Sequence, residues 1–145
     1  MTRPNFAGAI SLSDYRALAE FRYRVRQFLR ITEHTARQAR LHPQQHRLML
    51  AVKGMPAGMA SSVSNLAERL QLEPHSTVEL VNRAAARGLV ARHHDRQDRR
   101  VVMVSITPRG ERLLTQLSRR NREELRAAAP ALMRALRAIT RERAG

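Results

Sequence analysis

The chain contains no cysteine, so it has neither a disulfide framework nor a thiol redox switch. It has no tryptophan, and aromatic residues make up only 3%. That is too few for the stacking platforms of single-stranded RNA binders or the anchors of membrane-surface proteins. No apolar run approaches the ~18 residues of a membrane span. Residues 1–10 lack a basic segment followed by a long apolar one, which is not a secretory pattern, so the expected location is the cytoplasm. Nucleophile elbow, phosphate-binding glycine loop and His-Glu-x-x-His are all missing, so neither an enzyme nor a cofactor is expected. Negative charge is scarce as well. Asp and Glu number 12 against 27 Lys and Arg, a formal net charge of +15 at pH 7.

Such an excess attracts polyanions, and double-stranded DNA is the leading one. All but one of the basic residues are arginine, the exception being Lys53. Arginine suits phosphate and guanine because its planar fork donates two parallel hydrogen bonds. A GC-rich genome accounts equally well for arginine over lysine, but not for the surplus of positive charge. With 145 residues the chain fits one domain and buries a moderate core.

Along the chain, Ser13 is expected to cap a long helix in which Leu18, Phe21, Val25, Phe28, Thr32, Ala36 and Ala39 form a narrow apolar stripe. Arg16, Arg22, Arg24, Arg26 and Arg30 flank it. Pro43 opens a second helix that stops at Gly54. Residues 63–70 read as a short helix capped by Ser61 or Ser62. Pro74 begins another, which runs to about Arg87 and stops at Gly88. A hairpin follows, with Val102, Val104 and Ile106 alternating on the return strand. Thr107-Pro-Arg-Gly opens a long helix, and Pro130 is expected to end it before a last helix over 131–139. The predicted order is α-α-α-α-β-β-α-α.

A short helix, a tight turn and a second helix fit a helix-turn-helix. Leu66, Ala67 and Leu70 face the partner helix, and Leu72 plugs the turn. In the second helix Thr77, Leu80, Val81 and Ala84 recur at i, i+3, i+4 and i+7, which makes them the buried face. That phase leaves His75, Ser76, Val78, Glu79, Asn82 and Arg83 outward, types that address a major groove. Asn pairs with adenine, Glu accepts from cytosine N4, and Val meets a thymine methyl. Ser62 and Ser64, at the start of the preceding helix, join them as expected DNA contacts. The plainer alternative, an amphipathic helix in a small bundle, is weakened by the hairpin. Its tip concentrates Arg96, Arg99 and Arg100 beside His93, His94, Asp95 and Asp98, where a purely structural hairpin favours Gly or Asn. A wing on a narrow minor groove needs those arginines, and the aspartates orient them.

These residues resemble a known family. Leu66-Ala-Glu-Arg-Leu70, His75-Ser-Thr-Val78, Leu80-Val-Asn-Arg83, Arg87-Gly-Leu-Val90, Asp95-Arg-Gln-Asp-Arg-Arg100 and Thr107-Pro-Arg-Gly110 are similar to the MarR family of regulators. The wing followed by Thr-Pro-x-Gly is the most specific part. The resemblance implies a mainly α fold with a small β-hairpin wing, a winged helix-turn-helix flanked by N- and C-terminal dimerisation helices. It further implies a homodimer that represses nearby genes and is often relieved by small aromatic acids bound between the lobes. Arg100 matches the wing-tip arginine that enters the minor groove in the family. Ala84, Ala85 and Ala86 stand where larger aliphatics are common.

The expected layout is dimerisation helices over 13–41 and 110–145 around a DNA-binding lobe over 44–107. The expected function is a sequence-specific transcriptional regulator on a pseudo-palindromic operator. Its partners are double-stranded DNA, a second copy of the chain and a small-molecule effector, with no membrane. A sequence-independent architectural DNA-binding protein is the alternative, since it needs the charge but no shaped recognition helix. His42 and His46 are spaced i, i+4, but Pro43 lies between them and structural zinc favours four tight ligands, so no metal site is expected.

Overall fold

Every helix leaves its first N–H groups without intrahelical acceptors, and the sequence supplies substitutes at most of the starts. In the computed structural model, which describes residues 8–141, helix α1 spans Leu12–Gln38. Its cap is Ser11 rather than the expected Ser13. The Ser11 hydroxyl accepts from the Asp14 N–H at 3.1 Å, and the Asp14 carboxylate accepts from the Ser11 N–H at 2.9 Å. A serine three residues before an acid satisfies two donors reciprocally, which a cap at Ser13 would not. In α2 (Pro43–Lys53), His42 Nδ1 accepts from the Gln44 N–H, and Gly54 closes the far end by donating to the Leu50 carbonyl at 2.8 Å. In α3 (Val63–Leu70) the cap is Ser62, whose hydroxyl accepts from the Asn65 N–H at 3.2 Å. Helix α4 (Pro74–Ala86) starts on a proline that has no N–H to satisfy.

Strands β1 (Val90–His94) and β2 (Val102–Ile106) pair antiparallel, Val90 opposite Ile106 and His94 opposite Val102. Helix α5 then runs unbroken over Pro108–Thr140, 33 residues with Pro130 inside it. The expected break at Pro130 is therefore absent. A proline removes one N–H and crowds the carbonyl four residues back. Here Ala127, Ala128, Ala129, Ala131 and Leu132 surround it, and all are strong helix formers that sustain the helix across the defect.

Two units divide the described residues, one of residues 32–121 and one combining 8–31 with 122–141. The larger unit has a continuous apolar core. Leu48 and Met49 of α2, Leu66 of α3, Ala84 of α4 and Leu89 are at most 1% exposed, and Leu114 and Leu117 of α5 join them. Each large side chain so buried stabilises by about 1.5–3 kcal/mol. Arginines tie the edges of this core. Arg87 donates to the Gln45 side-chain oxygen at 2.8 Å and to the Arg40 carbonyl at 2.9 Å, which anchors the end of α4 to the turn before α2. Arg47 donates to the Leu70 carbonyl at 3.1 Å, covering a free acceptor at the end of α3.

In the smaller unit, Ala135 is buried and Phe21, Val25, Phe28, Leu132 and Ile139 are half-buried. Leu18, Tyr15, Tyr23, Leu29, Leu125, Met133 and Leu136 of this unit are exposed. Among the described residues no helix is long and apolar enough to cross a membrane.

Candidate nucleic-acid interface

The turn between α3 and α4 is closed by the chain itself. Gln71 adopts the left-handed conformation (φ 56°), its side-chain amide donates to the Glu68 carbonyl at 2.9 Å, and the Leu72 N–H donates to Ala67 at 3.0 Å. Leu72 packs against the core as the sequence suggested. In α4, Thr77, Leu80, Val81 and Ala84 are all buried, and the Thr77 hydroxyl donates to the Glu73 carbonyl at 3.0 Å. The apolar period thus sets the rotation of α4.

The opposite face divides into two rows. His75, Val78 and Asn82 follow i, i+3, i+7 and are exposed, Val78 by 41%. The second row, Ser76, Glu79 and Arg83, lines a hollow of about 260 Å³ together with His42 and Gln44 at the start of α2. The first row ends on the hairpin: Arg92 of β1 donates through Nη1 to the Asn82 side-chain oxygen. Sequence reasoning missed Arg92. It lies ten residues beyond Asn82 on another element, and no periodicity marks the pair.

The hairpin is fixed at its root and open at its tip. Thr107 alone separates β2 from α5. Its N–H donates to the Leu89 carbonyl at 3.1 Å, and its hydroxyl donates to Gly88 at 2.6 Å while accepting from the Gly110 N–H at 3.0 Å. Gly110 is buried, and a Cβ there would stand 2.1 Å from the Leu89 carbonyl oxygen. The Thr-Pro-x-Gly motif therefore combines a helix cap, a proline start and a close approach that only glycine permits. Val104 donates to the Ser61 carbonyl at 2.9 Å, holding β2 against the start of α3.

At the tip, Asp95 donates its N–H to the Val101 carbonyl and Val101 returns one to Asp98. The Asp98 carboxylate accepts from Arg100 Nε at 3.1 Å, from Nη2 at 3.2 Å and from the Arg100 N–H at 3.1 Å. The Arg100 side chain beside it, then the Arg100 N–H, hold the Asp98 carboxyl below its usual value. The fork of Arg100 is thus oriented while its side chain stays 91% exposed. Arg96 and Arg99 are exposed as well, and the Arg99 carbonyl lies 2.7 Å from His94 Nδ1, which puts the proton on that nitrogen.

Of the expected contact residues, His75, Val78, Glu79, Asn82, Arg83, Arg96, Arg99 and Arg100 are exposed and Ser76 is half-buried. Ser64 is exposed at the start of α3. Ser62 is a correction: it is 7% exposed and its oxygen caps α3, because the residue that satisfies a helix's first N–H groups turns inward here. His42 is likewise spent on a cap. His46 is buried, its Nε2 has no hydrogen-bond partner, and burial lowers its pKa. Among the described residues no group of three His, Asp or Glu is placed to hold a metal ion.

Comparison with known proteins matches residues 41–101 to the model of the MarR family. The HTH-type transcriptional repressor MdtR of Bacillus subtilis is 37% identical over 49 residues. That match spans 34% of this chain and about a third, 32%, of the repressor. Among solved structures, AbsC, a MarR family transcriptional regulator from Streptomyces coelicolor, superposes with a TM-score of 0.72 at 15% identity, covering 83% of this chain and 81% of AbsC. A mutant of MepR from S. aureus bound to an oligodeoxyribonucleotide gives 0.60 at 17% identity, covering 76% and 79%. Over residues 41–101 the chain is thus similar to the MarR family, and its fold is similar to that of solved winged helix-turn-helix regulators of that family.

Proposed function

We propose that the protein is a sequence-specific DNA-binding repressor that acts as a homodimer on a pseudo-palindromic operator. The observation that carries this reading is the outward face of α4. Val78, a sizeable apolar side chain, is 41% exposed among His75, Glu79, Asn82 and Arg83. A solvated face gains nothing from an exposed valine, whereas a thymine methyl in the major groove covers one. The recognition helix enters the major groove, and Arg100, oriented by Asp98, enters the flanking minor groove. A narrow minor groove focuses negative potential on an arginine there. The named function of MdtR and the oligodeoxyribonucleotide bound to MepR support the same reading.

Dimerisation uses the smaller unit, where Leu18, Leu29, Leu125, Met133 and Leu136 stay exposed in the single chain. That much apolar surface favours burial against a second copy. Within the regions 13–41 and 110–145, helices α1 and α5 serve for dimerisation and 44–107 as the DNA-binding lobe; residues 142–145 lie outside the described residues. A small aromatic or anionic ligand relieves repression, a reading supported by the family and by the arginines of residues 16–30.

Two-fold symmetry sets half-sites about one helical turn apart. Selection from random duplexes tests the proposal, combined with binding measured across salt concentrations. A symmetric enriched site and affinity that falls steeply with salt are expected, as arginine–phosphate contacts release counterions. A pool that enriches no symmetric site overturns the proposal in favour of an architectural DNA-binding protein. Sedimentation showing only a 16.5 kDa species at micromolar concentration overturns the dimer.

A further inference from the structure

An arginine side chain carries five N–H donors and no acceptor. Whatever it bonds in an asparagine amide must therefore be the oxygen. Arg92 on β1 bonds Asn82 on α4, so a cation takes one of the two lone pairs of the Asn82 oxygen, and the NH₂ group is the end of the amide that stays wholly available. Asn82 stands at the end of the exposed row His75–Val78–Asn82, so with a cation beside its oxygen it offers a partner chiefly the donor end of its amide. The usual asparagine contact with adenine needs both ends of the amide, the oxygen accepting from N6 and the nitrogen donating to N7. With the oxygen held by a cation, that pairing is disfavoured. Guanine, which shows only acceptors (N7 and O6) in the major groove, suits the remaining donors.

We infer that Arg92 is a specificity-determining residue: by holding the side-chain oxygen of Asn82 it makes Asn82 a reader of guanine rather than adenine. This rests on the DNA-binding role proposed above. It gives β1 a part in base readout although Arg92 itself touches no base, and it links the wing's strand to the recognition helix by a directional bond. Loss of Arg92 frees the amide to rotate and present both ends, which exchanges one base preference for another instead of weakening every site alike.

The experiment is selection of randomised half-sites with the full chain, followed by competition binding, for wild type, Asn82→Ala, Arg92→Ala and Arg92→Lys. Asn82→Ala identifies the base pair concerned as the position whose preference flattens. At that position wild type is expected to favour guanine over adenine by about tenfold, at the modest end of what a good bidentate contact discriminates. Arg92→Ala is expected to move the preference at the same position to adenine. Arg92→Lys, which still donates and accepts nothing, is expected to keep guanine. The inference is overturned if Arg92→Ala lowers affinity for all sequences with base preference unmoved, if wild type favours adenine there, or if Asn82→Ala flattens no position. Those outcomes leave a symmetric wild-type site intact, so they sink this inference alone. A wild-type pool without any enriched site sinks the DNA-binding reading together with it.

Discussion

Replacing Gly110 by alanine is the most demanding test of how the wing is mounted. The new methyl group would lie 2.1 Å from the Leu89 carbonyl oxygen and 2.9 Å from Ile106 Cγ1. The first of these is backbone, so a rotamer change cannot relieve it, and either α5 or the start of β1 must move by an ångström or more. Forcing atoms into a close-packed site costs about 1–3 kcal/mol. The movement also pulls on the bonds from Thr107 to Leu89 and Gly88 and from Gly110 to Thr107, each worth about 1 kcal/mol. With all three bonds lost, these give about 4–6 kcal/mol. Gly88→Ala is the natural control, because Gly88 has φ +71° while its nearest side atom, on Arg109, is 4.0 Å away. There only the left-handed backbone is penalised, by about 1–2 kcal/mol. Urea denaturation followed by circular dichroism, at one fixed protein concentration because dimerisation shifts apparent stability, measures both. If Gly110→Ala costs no more than Gly88→Ala, the close approach at the wing root is not what holds this junction.

Arg100→Ala is expected to weaken operator binding by about 1–3 kcal/mol, mostly at A·T-rich flanks, whereas Val78→Ala and Glu79→Ala should change the preferred base inside each half-site. Selection on each variant separates the two, and unchanged affinity in Arg100→Ala would refute its role. His46 is buried with its pKa lowered, so the folded state resists the proton that the unfolded state takes up. Its contribution is full above about pH 6.5 and declines as pH falls below that value toward the lower folded pKa. Denaturation midpoints from pH 8 to 5 should fall less steeply in His46→Gln than in wild type, and parallel profiles would exclude His46 as the cause. Pro130→Ala restores an N–H to the interior of α5 and should raise stability by about 1–3 kcal/mol in thermal melts. No gain would mean that α5 is already adapted to its proline.

What the sequence discloses is mostly what periodicity and capping express. The buried face of α4 follows from Thr77, Leu80, Val81 and Ala84, and Pro43 and Gly54 bracket α2 as read. The wing's arginines were visible because repelling cations at a turn demand a reason. Pro130 misled because a breaker's weight depends on its neighbours, and an alanine-rich flank outweighed it. Ser62 reads both as a cap and as a DNA contact; it caps α3 as expected, and because one serine side chain serves only one of those roles here, the contact reading gives way. The links from Arg92 to Asn82 and from Arg87 to Gln45 join residues distant in the chain. They depend on where α4 comes to lie against β1 and α2, which no local pattern encodes.

The hairpin contributes little to the interior. Val90 is the one buried residue of β1, and Val104 the one buried residue of β2. Everything between His93 and Val101 can therefore open and reclose without disturbing Leu48, Leu66 or Leu117, and its amides should exchange with solvent long before those of α2. A segment with so small a stake in folding is also free to drift. Substitutions from 93 to 101 escape the penalty that purges changes in a core, so its sequence is set almost wholly by what it meets outside the protein. Divergent copies of such a regulator can alter their flanking contacts first, and leave the helices that carry the fold as they were.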